Sequence, residues 1–313
     1  VRAEQGRRRR MPASAVGQPM GERTHRPLSV LVFIGRRLYA ATRQAPLLPI
    51  KKTPPRVCVG PHRPAPGRWR RFPGPFEPIR RYTSPMCGRY ALEAPSSRLS
   101  WRFGLDECAA VVARYNIAPA TDIPVIRQSP AGQRVLHLLR WGLLPHWAKD
   151  PAIASRLINA RGESLAEKPA FRDAFQRRRC LIPASGFYEW QAIAGTAAAA
   201  RKQPWYISLS SGETMAFGGL WESWTAPGGD VVRSCCIVTT AANGLLRAVH
   251  ERMPLILAAE HWQDWLAAGV DRAGALIQPY PEAGMQRWPV SSRVGKASED
   301  DPALIVSISS EPQ

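Results

Sequence analysis

The feature that most limits what this chain can fold into is a break in its texture at residue 86. The first 85 residues carry 19 Lys and Arg against three acids, Glu4, Glu22 and Glu77, and hold 14 of the 30 prolines. Stretches such as "EQGRRRRMPASAVGQPMGERTHRP" and "KKTPPRVCVGPHRPAPGRWRRFPGPFEPIRR" have too little periodic apolar content to offset the entropy of ordering. Residues 1–85 are therefore expected to form a basic, Pro/Arg-rich disordered leader, with the packed domain at 86–310. The formal charge of +19 falls to +3 beyond residue 85, where 24 Lys and Arg meet 21 acids. Bulk basicity is thus no argument that the domain binds nucleic acid; a local patch is required.

The leader's one apolar run, Leu28 to Ile34, is too short to span a bilayer, so no membrane partner is expected. Arg36 and Arg37 follow it without a small-residue cleavage site, against a secretory signal. The leader reads as a basic nucleic-acid-binding arm or as an upstream start that carries the chain past Met86. Six cysteines, Cys58, Cys87, Cys108, Cys180, Cys235 and Cys236, include no C-x-x-C pair, so neither a structural zinc nor another metal is expected. Five in the domain, two of them adjacent, suit a reducing cytoplasm better than a disulfide framework.

From residue 86 onward, short apolar runs alternate with turn residues. Strands are expected at Cys87–Ala91, Arg134–Trp141, Cys180–Pro183, Phe187–Gln191, Trp205–Ser210, Met215–Trp221, Ser234–Thr240 and Leu304–Ile308. Helices are expected at Ser96–Phe103, Glu163–Gln176, near Asn243–Val249, and at Ala258–Ala268 with Trp262 and Trp265 inward. Ala192–Lys202 (AIAGTAAAARK) reads as a surface excursion, and "RRRC" at 177–180 as a solvated helix end. Many short strands with few helices predict a single α+β domain with a barrel-like, mainly antiparallel β core and peripheral helices.

Four residues carry candidate chemistry. "SPMCGRY" at 84–90 places Cys87 behind Met86. With that methionine removed, Cys87 presents an α-amine of pKa about 7.7–8.0 beside a thiol of about 8.5. Such a 1,2-aminothiol condenses with an aldehyde to an imine and closes a five-membered thiazolidine. With Met86 attached the nitrogen is an amide and cannot. "SRLINARGES" sets Asn159, Arg161 and Glu163 at alternate positions leaving a strand. "IPASGFYEWQ" sets Glu189 among Phe187, Tyr188 and Trp190, company that raises a carboxyl pKa toward the range useful for proton transfer. "RAVHERMPLIL" sets His250 before Glu251, Arg252 and an apolar run. Singly, each has a bland reading: a small buried cysteine, a turn asparagine, a paired strand-end glutamate, a surface histidine.

In combination they say more. MCGRY, "RYNIAPAT" (114–121), "RWGLLPHWA" (140–148), "INARGES" (158–164), "ASGFYEW" (184–190), "VTTAANGLLRAVHERMPLIL" (238–257) and "WPVSSRVG" (288–295) resemble, in order, the motifs of the SRAP family. These are the SOS response-associated peptidases, or abasic-site processing proteins. The resemblance runs from Met86 to about Ile308. It implies capture of abasic sites in single-stranded DNA through a thiazolidine DNA–protein crosslink, with lyase behaviour and self-processing at the N-terminus. By position, Cys87 matches the nucleophile, Asn159 the residue that steadies the N-terminal group, Glu189 the proton shuttle, and His250 the residue assisting at the opened sugar. It also implies phosphate contacts from Arg89 and Arg161, a channel segment containing Asn116 and Pro119, and a stacking role for Trp147. Where relatives often carry two aromatics after the proline, this chain has His146-Trp147, against a double aromatic wedge.

No cofactor is implied, and the expected state is a cytoplasmic, nucleoid-associated monomer. Two other readings remain open from the residues. One is an N-terminal-cysteine amidohydrolase of the glutamine amidotransferase type, which uses the free amine as a base. The other is a single-stranded DNA-binding module with an inert Cys87.

Overall fold

The computed structural model describes residues 87–106, 108, 110–193 and 202–308. The leader expected at 1–85, and Met86, lie outside the described residues. Twelve strands and five α-helices follow in order: β1 (Tyr90–Leu92), α1 (Ser96–Phe103), β2 (Arg114–Ile117), β3 (Asp122–Gln128), β4 (Arg134–Trp141), β5 (Asn159–Arg161), α2 (Arg172–Arg177), β6 (Arg179–Ala184), β7 (Gly186–Ala192), β8 (Lys202–Leu209), β9 (Met215–Thr225), β10 (Val231–Ala241), α3 (Gly244–Arg247), β11 (Arg252–Pro254), α4 (Trp262–Ala267), α5 (Val270–Ala275) and β12 (Met285–Pro289).

The strands form two sheets. In the first, hydrogen bonding runs β10-β4-β3-β6-β9 and returns to β10, closing a five-stranded barrel. Every pairing in that circuit is antiparallel except β10 with β4. At eleven residues, β10 is long enough to take two partners along each edge. β4 and then β5 pair with it in parallel, while β9 and then β11 pair with it antiparallel. The second sheet, β12-β8-β7-β1-β2, is antiparallel throughout. The barrel-like α+β reading of the sequence therefore holds.

Period-two alternation fixes which side chains the second sheet turns toward the barrel. Tyr90 packs edge-on to Trp141 and Phe217, with ring centroids 5.5 and 6.0 Å apart, and Phe187 meets Phe217 at 6.0 Å. The intervening Ala91 and Tyr188 belong to a separate outer cluster with Tyr206, Val290, Val294 and Leu304. Glu189 follows Phe187 by two, so the same alternation drives a carboxyl into the inner layer.

Local chemistry explains where the structure departs from the sequence expectations. The helix expected at Glu163–Gln176 is a 3-10 turn at Gly162–Ser164 and a six-residue α2, because Pro169 has no N–H to give a helix interior. The strand expected at Leu304–Ile308 is a 3-10 turn at Pro302–Ile305, opened by Pro302 and by Asp301, whose side chain accepts the Ala303 N–H. Only Ser307 bridges to Val290. The strand expected from Cys87 begins at Tyr90 instead. β3 is read weakly from sequence because of Pro124; β6 pairs with β3 only at Ile126, so the proline lies outside that pairing. β7 and β8 pair to their ends at Ala192 and Lys202, and residues 194–201 between them lie outside the described residues.

The "RRRC" run is not a solvated helix end. Arg178 pairs with the buried Glu222 at 2.6 Å, and Arg179 is 6% exposed. The Arg179 guanidinium donates to the carbonyls of Phe175 and Gln176 at the end of α2 and to those of Trp265 and Ala268 at the end of α4. One cation thus satisfies orphan carbonyls of two helices. Arg179→Met is expected to destabilise the fold by about 2–4 kcal/mol, because it leaves those carbonyls buried without donors. Urea unfolding of the two proteins side by side measures it.

Candidate active site around Cys87

The register of β1 on β7 pairs Tyr90 with Phe187 and Ala91 with Gly186, and Tyr188 N–H donates to the Arg89 carbonyl at 3.0 Å. Continued toward the N-terminus, that register sets Gly88 opposite Glu189 and brings Cys87 against the same strand. The Cys87 backbone N–H donates to Glu189 Oε1 at 2.7 Å, and the same carboxyl lies near enough to act electrostatically on the thiol. Both residues are 2% exposed. A single carboxyl therefore faces the two atoms of Cys87, nitrogen and sulfur, that an aminothiol would use. Cys87 has a φ of 42°, in the left-handed region that a side chain disfavours.

Burial sets the protonation of this pair. It raises the Glu189 pKa above the ordinary carboxyl value; the nearby His250 and the hydrogen bonds from Cys87 and Trp190 oppose the rise without cancelling it. Burial first, then the Glu189 charge and hydrogen bond, push the Cys87 thiol well up, against a lowering by Arg252. In the joined chain the thiol is held protonated.

His250 lies beyond α3, just ahead of β11. Its Nδ1 lies 3.0 Å from the Arg252 backbone nitrogen and 3.3 Å from the Arg252 carbonyl, so the ring is held against the Arg252 backbone. The Arg252 guanidinium grips both oxygens of Glu163, with Nη2 at 2.8 Å from Oε2, and also donates to the Thr239 carbonyl at 2.8 Å. Asn159 stands on β5, paired with Ile237 of β10, and its Oδ1 is buried.

The residues expected to touch DNA separate into two groups. Arg161 is exposed, Trp147 is 48% exposed, and Pro119 is half-buried in the turn between β2 and β3. Asn116, by contrast, is 1% exposed. Its Nδ2 lies 3.2, 2.9 and 2.7 Å from the carbonyls of Val294, Lys296 and Glu299, and its Oδ1 accepts from Arg89 at 2.9 Å. Arg89 also reaches the carbonyls of Val294 and Gly295 at 3.0 and 3.3 Å. Asn116 therefore braces the 294–299 loop, leaving its amide committed to protein, and Arg89 is half-buried in the same brace. Sequence reasoning missed Arg252; the available signal was a charge standing directly before the apolar "MPLIL".

Three comparisons bear on this arrangement. The family model of the SOS response associated peptidase (SRAP) matches residues 86–297. The chain belongs to the SRAP family. Among its relatives is the abasic site processing protein YoqW of Bacillus subtilis, 39% identical over 228 residues that cover 71% of this chain and all of that protein. The mouse abasic site processing protein HMCES is 27% identical over 275 residues, covering 70% of this chain and 75% of its own. A crystal structure from Bacteroides thetaiotaomicron superposes with a TM-score of 0.63 at 23% identity, spanning 71% of this chain and the whole of that one. Among the described residues, no group of three or more His, Cys, Asp or Glu converges as a metal site, and no helix is long and apolar enough to cross a membrane.

The raised Glu189 pKa has a stability consequence. Between the unfolded and folded pKa values the native state binds more protons, so stability falls as pH rises through that interval. Glu189→Gln in the full chain is therefore expected to raise the melting temperature at pH 7.5 and to raise it less at pH 4. Thermal unfolding across that range tests the sign.

Proposed function

We propose that this SRAP protein processes abasic sites in single-stranded DNA, with a free Cys87 aminothiol as the reacting group. The observation that carries this reading is the buried Glu189 carboxyl 2.7 Å from the Cys87 nitrogen. The names of YoqW and HMCES support the substrate class.

The α-amine of Cys87 attacks the aldehyde of the opened sugar to give a carbinolamine. Glu189, whose burial favours its protonated form, gives its proton to the departing hydroxyl, and one water leaves a protonated imine. The thiol sulfur then adds to the imine carbon while the thiol proton returns to Glu189, closing a thiazolidine. His250 assists proton transfer at the sugar oxygens, and Asn159 steadies the N-terminal nitrogen. At the imine stage, loss of a proton beside the imine carbon expels the 3′ phosphate, which is the lyase branch. Arg161 and Arg89 serve phosphate oxygens and Trp147 a base face. Asn116 acts through the loop it braces.

The same parts serve self-processing. With Met86 attached, the Cys87 sulfur adds to the Met86 carbonyl while Glu189 protonates the departing nitrogen. Water then hydrolyses the thioester. The left-handed φ, a cost of about 1–3 kcal/mol, exists only while that peptide bond does. Residues 1–86 are in this account a segment to be removed, and the remainder of the 86–310 domain, from Cys87 onward, the working unit.

A chain of residues 87–313 is expected to give a covalent band with an abasic oligonucleotide on a denaturing gel without reductant. The band disappears in Cys87→Ala and with intact DNA, and forms at least about 100-fold more slowly in Glu189→Gln. No band from a chain verified to begin at Cys87 overturns the proposal. Glutamine hydrolysis by that chain would instead indicate the amidohydrolase, and equal retention of intact and abasic strands the binding module.

A further inference from the structure

The Glu163 carboxylate presents a puzzle of placement. Its side chain is 58% exposed, yet both oxygens are held by Arg252, whose side chain is only 11% exposed. An exposed ion pair ordinarily contributes little. This one is different in what it joins. Glu163 lies in the 3-10 turn that leaves β5, the strand of Asn159. Arg252 opens β11 and gives its backbone N–H to His250. Its guanidinium reaches the Thr239 carbonyl and hydroxyl on β10 at 2.8 and 3.3 Å, so the pair ties β5, β10 and β11 together. The turn is also closely packed: a Cβ on Gly162 would stand 2.3 Å from the Ile277 side chain and 3.2 Å from the Thr239 carbonyl.

We propose that Glu163 is a positioning residue: its bidentate hold on Arg252 fixes the guanidinium against β10, and through the Arg252 backbone it fixes the His250 ring relative to Cys87 and Glu189. This rests on the abasic-site reading above. The planar guanidinium has a rigid fork of donors, and two carboxylate oxygens at once set its rotation as well as its place. Glutamine at 163 can accept through one oxygen only. The guanidinium would then be free to turn away from Thr239, and its backbone would no longer set His250. Because the substitution removes a negative charge from a site meant for a polyanion, it should not weaken strand binding.

The test uses the 87–313 chain, its Cys87→Ala variant, Glu163→Gln and Glu163→Asp, with crosslinking rate at saturating abasic strand and affinity for an intact strand measured separately. Melting temperature is recorded for each, and assays run well below the lowest. Glu163→Gln is expected to crosslink about 10-fold more slowly at saturation while binding the intact strand as tightly or more so. Glu163→Asp, which keeps the charge and both oxygens, should recover most of that rate. A Glu163→Gln rate equal to wild type overturns the inference, as does a loss of affinity that accounts for the whole deficit. A deficit that Asp fails to reduce also overturns it. Absence of crosslinking by the parent chain would instead overturn the underlying reading, so the two failures are distinguishable.

Discussion

Everything distinctive about this structure depends on one carboxyl placed between two sheets. Glu189 occupies a position that strand alternation reserves for an apolar side chain, two residues after Phe187 in the layer where Tyr90, Phe187, Trp141 and Phe217 interlock. A carboxylate there loses its hydration and regains little, so the group is held toward its neutral form. A fold selected for stability alone would put a methyl or a ring at this point. The residue instead meets the backbone nitrogen of Cys87 at 2.7 Å, and in the proposed reaction its cost in stability is the condition for its use as a proton donor.

The barrel supports that arrangement through β10. Four other strands, β4, β5, β9 and β11, take hydrogen bonds from its two edges, and the turn after β5 and the start of β11 are joined across it by Glu163 and Arg252. Arg252 opposes the upward push on the Cys87 thiol from one side while Glu189 reinforces it from the other. The outer face of the second sheet supplies a separate support, in which Arg89 and Asn116 hold the loop after Val290 by its carbonyls. Cys87 therefore stands just ahead of a short strand that is fixed from both faces.

Some of this was legible in the chain and some was not, for physical reasons that differ by residue. The barrel was legible because short apolar runs with turn residues between them leave few other architectures. Glu189 was legible because an acid flanked by three aromatics is an electrostatic anomaly in any fold. The brace made by Asn116 was not legible: a polar residue between Tyr115 and Ile117 looks alike whether it meets a strand of DNA or three carbonyls. The loop that decides the matter lies about 180 residues further along. The Glu163–Arg252 pair spans 89 residues and three strands, so only the folded register reveals it. Arg179 failed for a similar reason, since a basic run reads as solvated until two helix ends are found converging on it. Pro169 and Pro302, by contrast, had announced their breaks in the sequence.

The central claim is that Cys87 reacts through nitrogen and sulfur together, under one carboxyl. Peptide mass spectrometry of the product formed between an abasic oligonucleotide and a chain beginning at Cys87 tests it most directly. The account predicts an adduct on the N-terminal peptide with a net loss of one water, in which neither the α-amine nor the Cys87 thiol can be labelled afterwards. An adduct that leaves either group free, or that maps to a lysine and survives only after borohydride reduction, would contradict it.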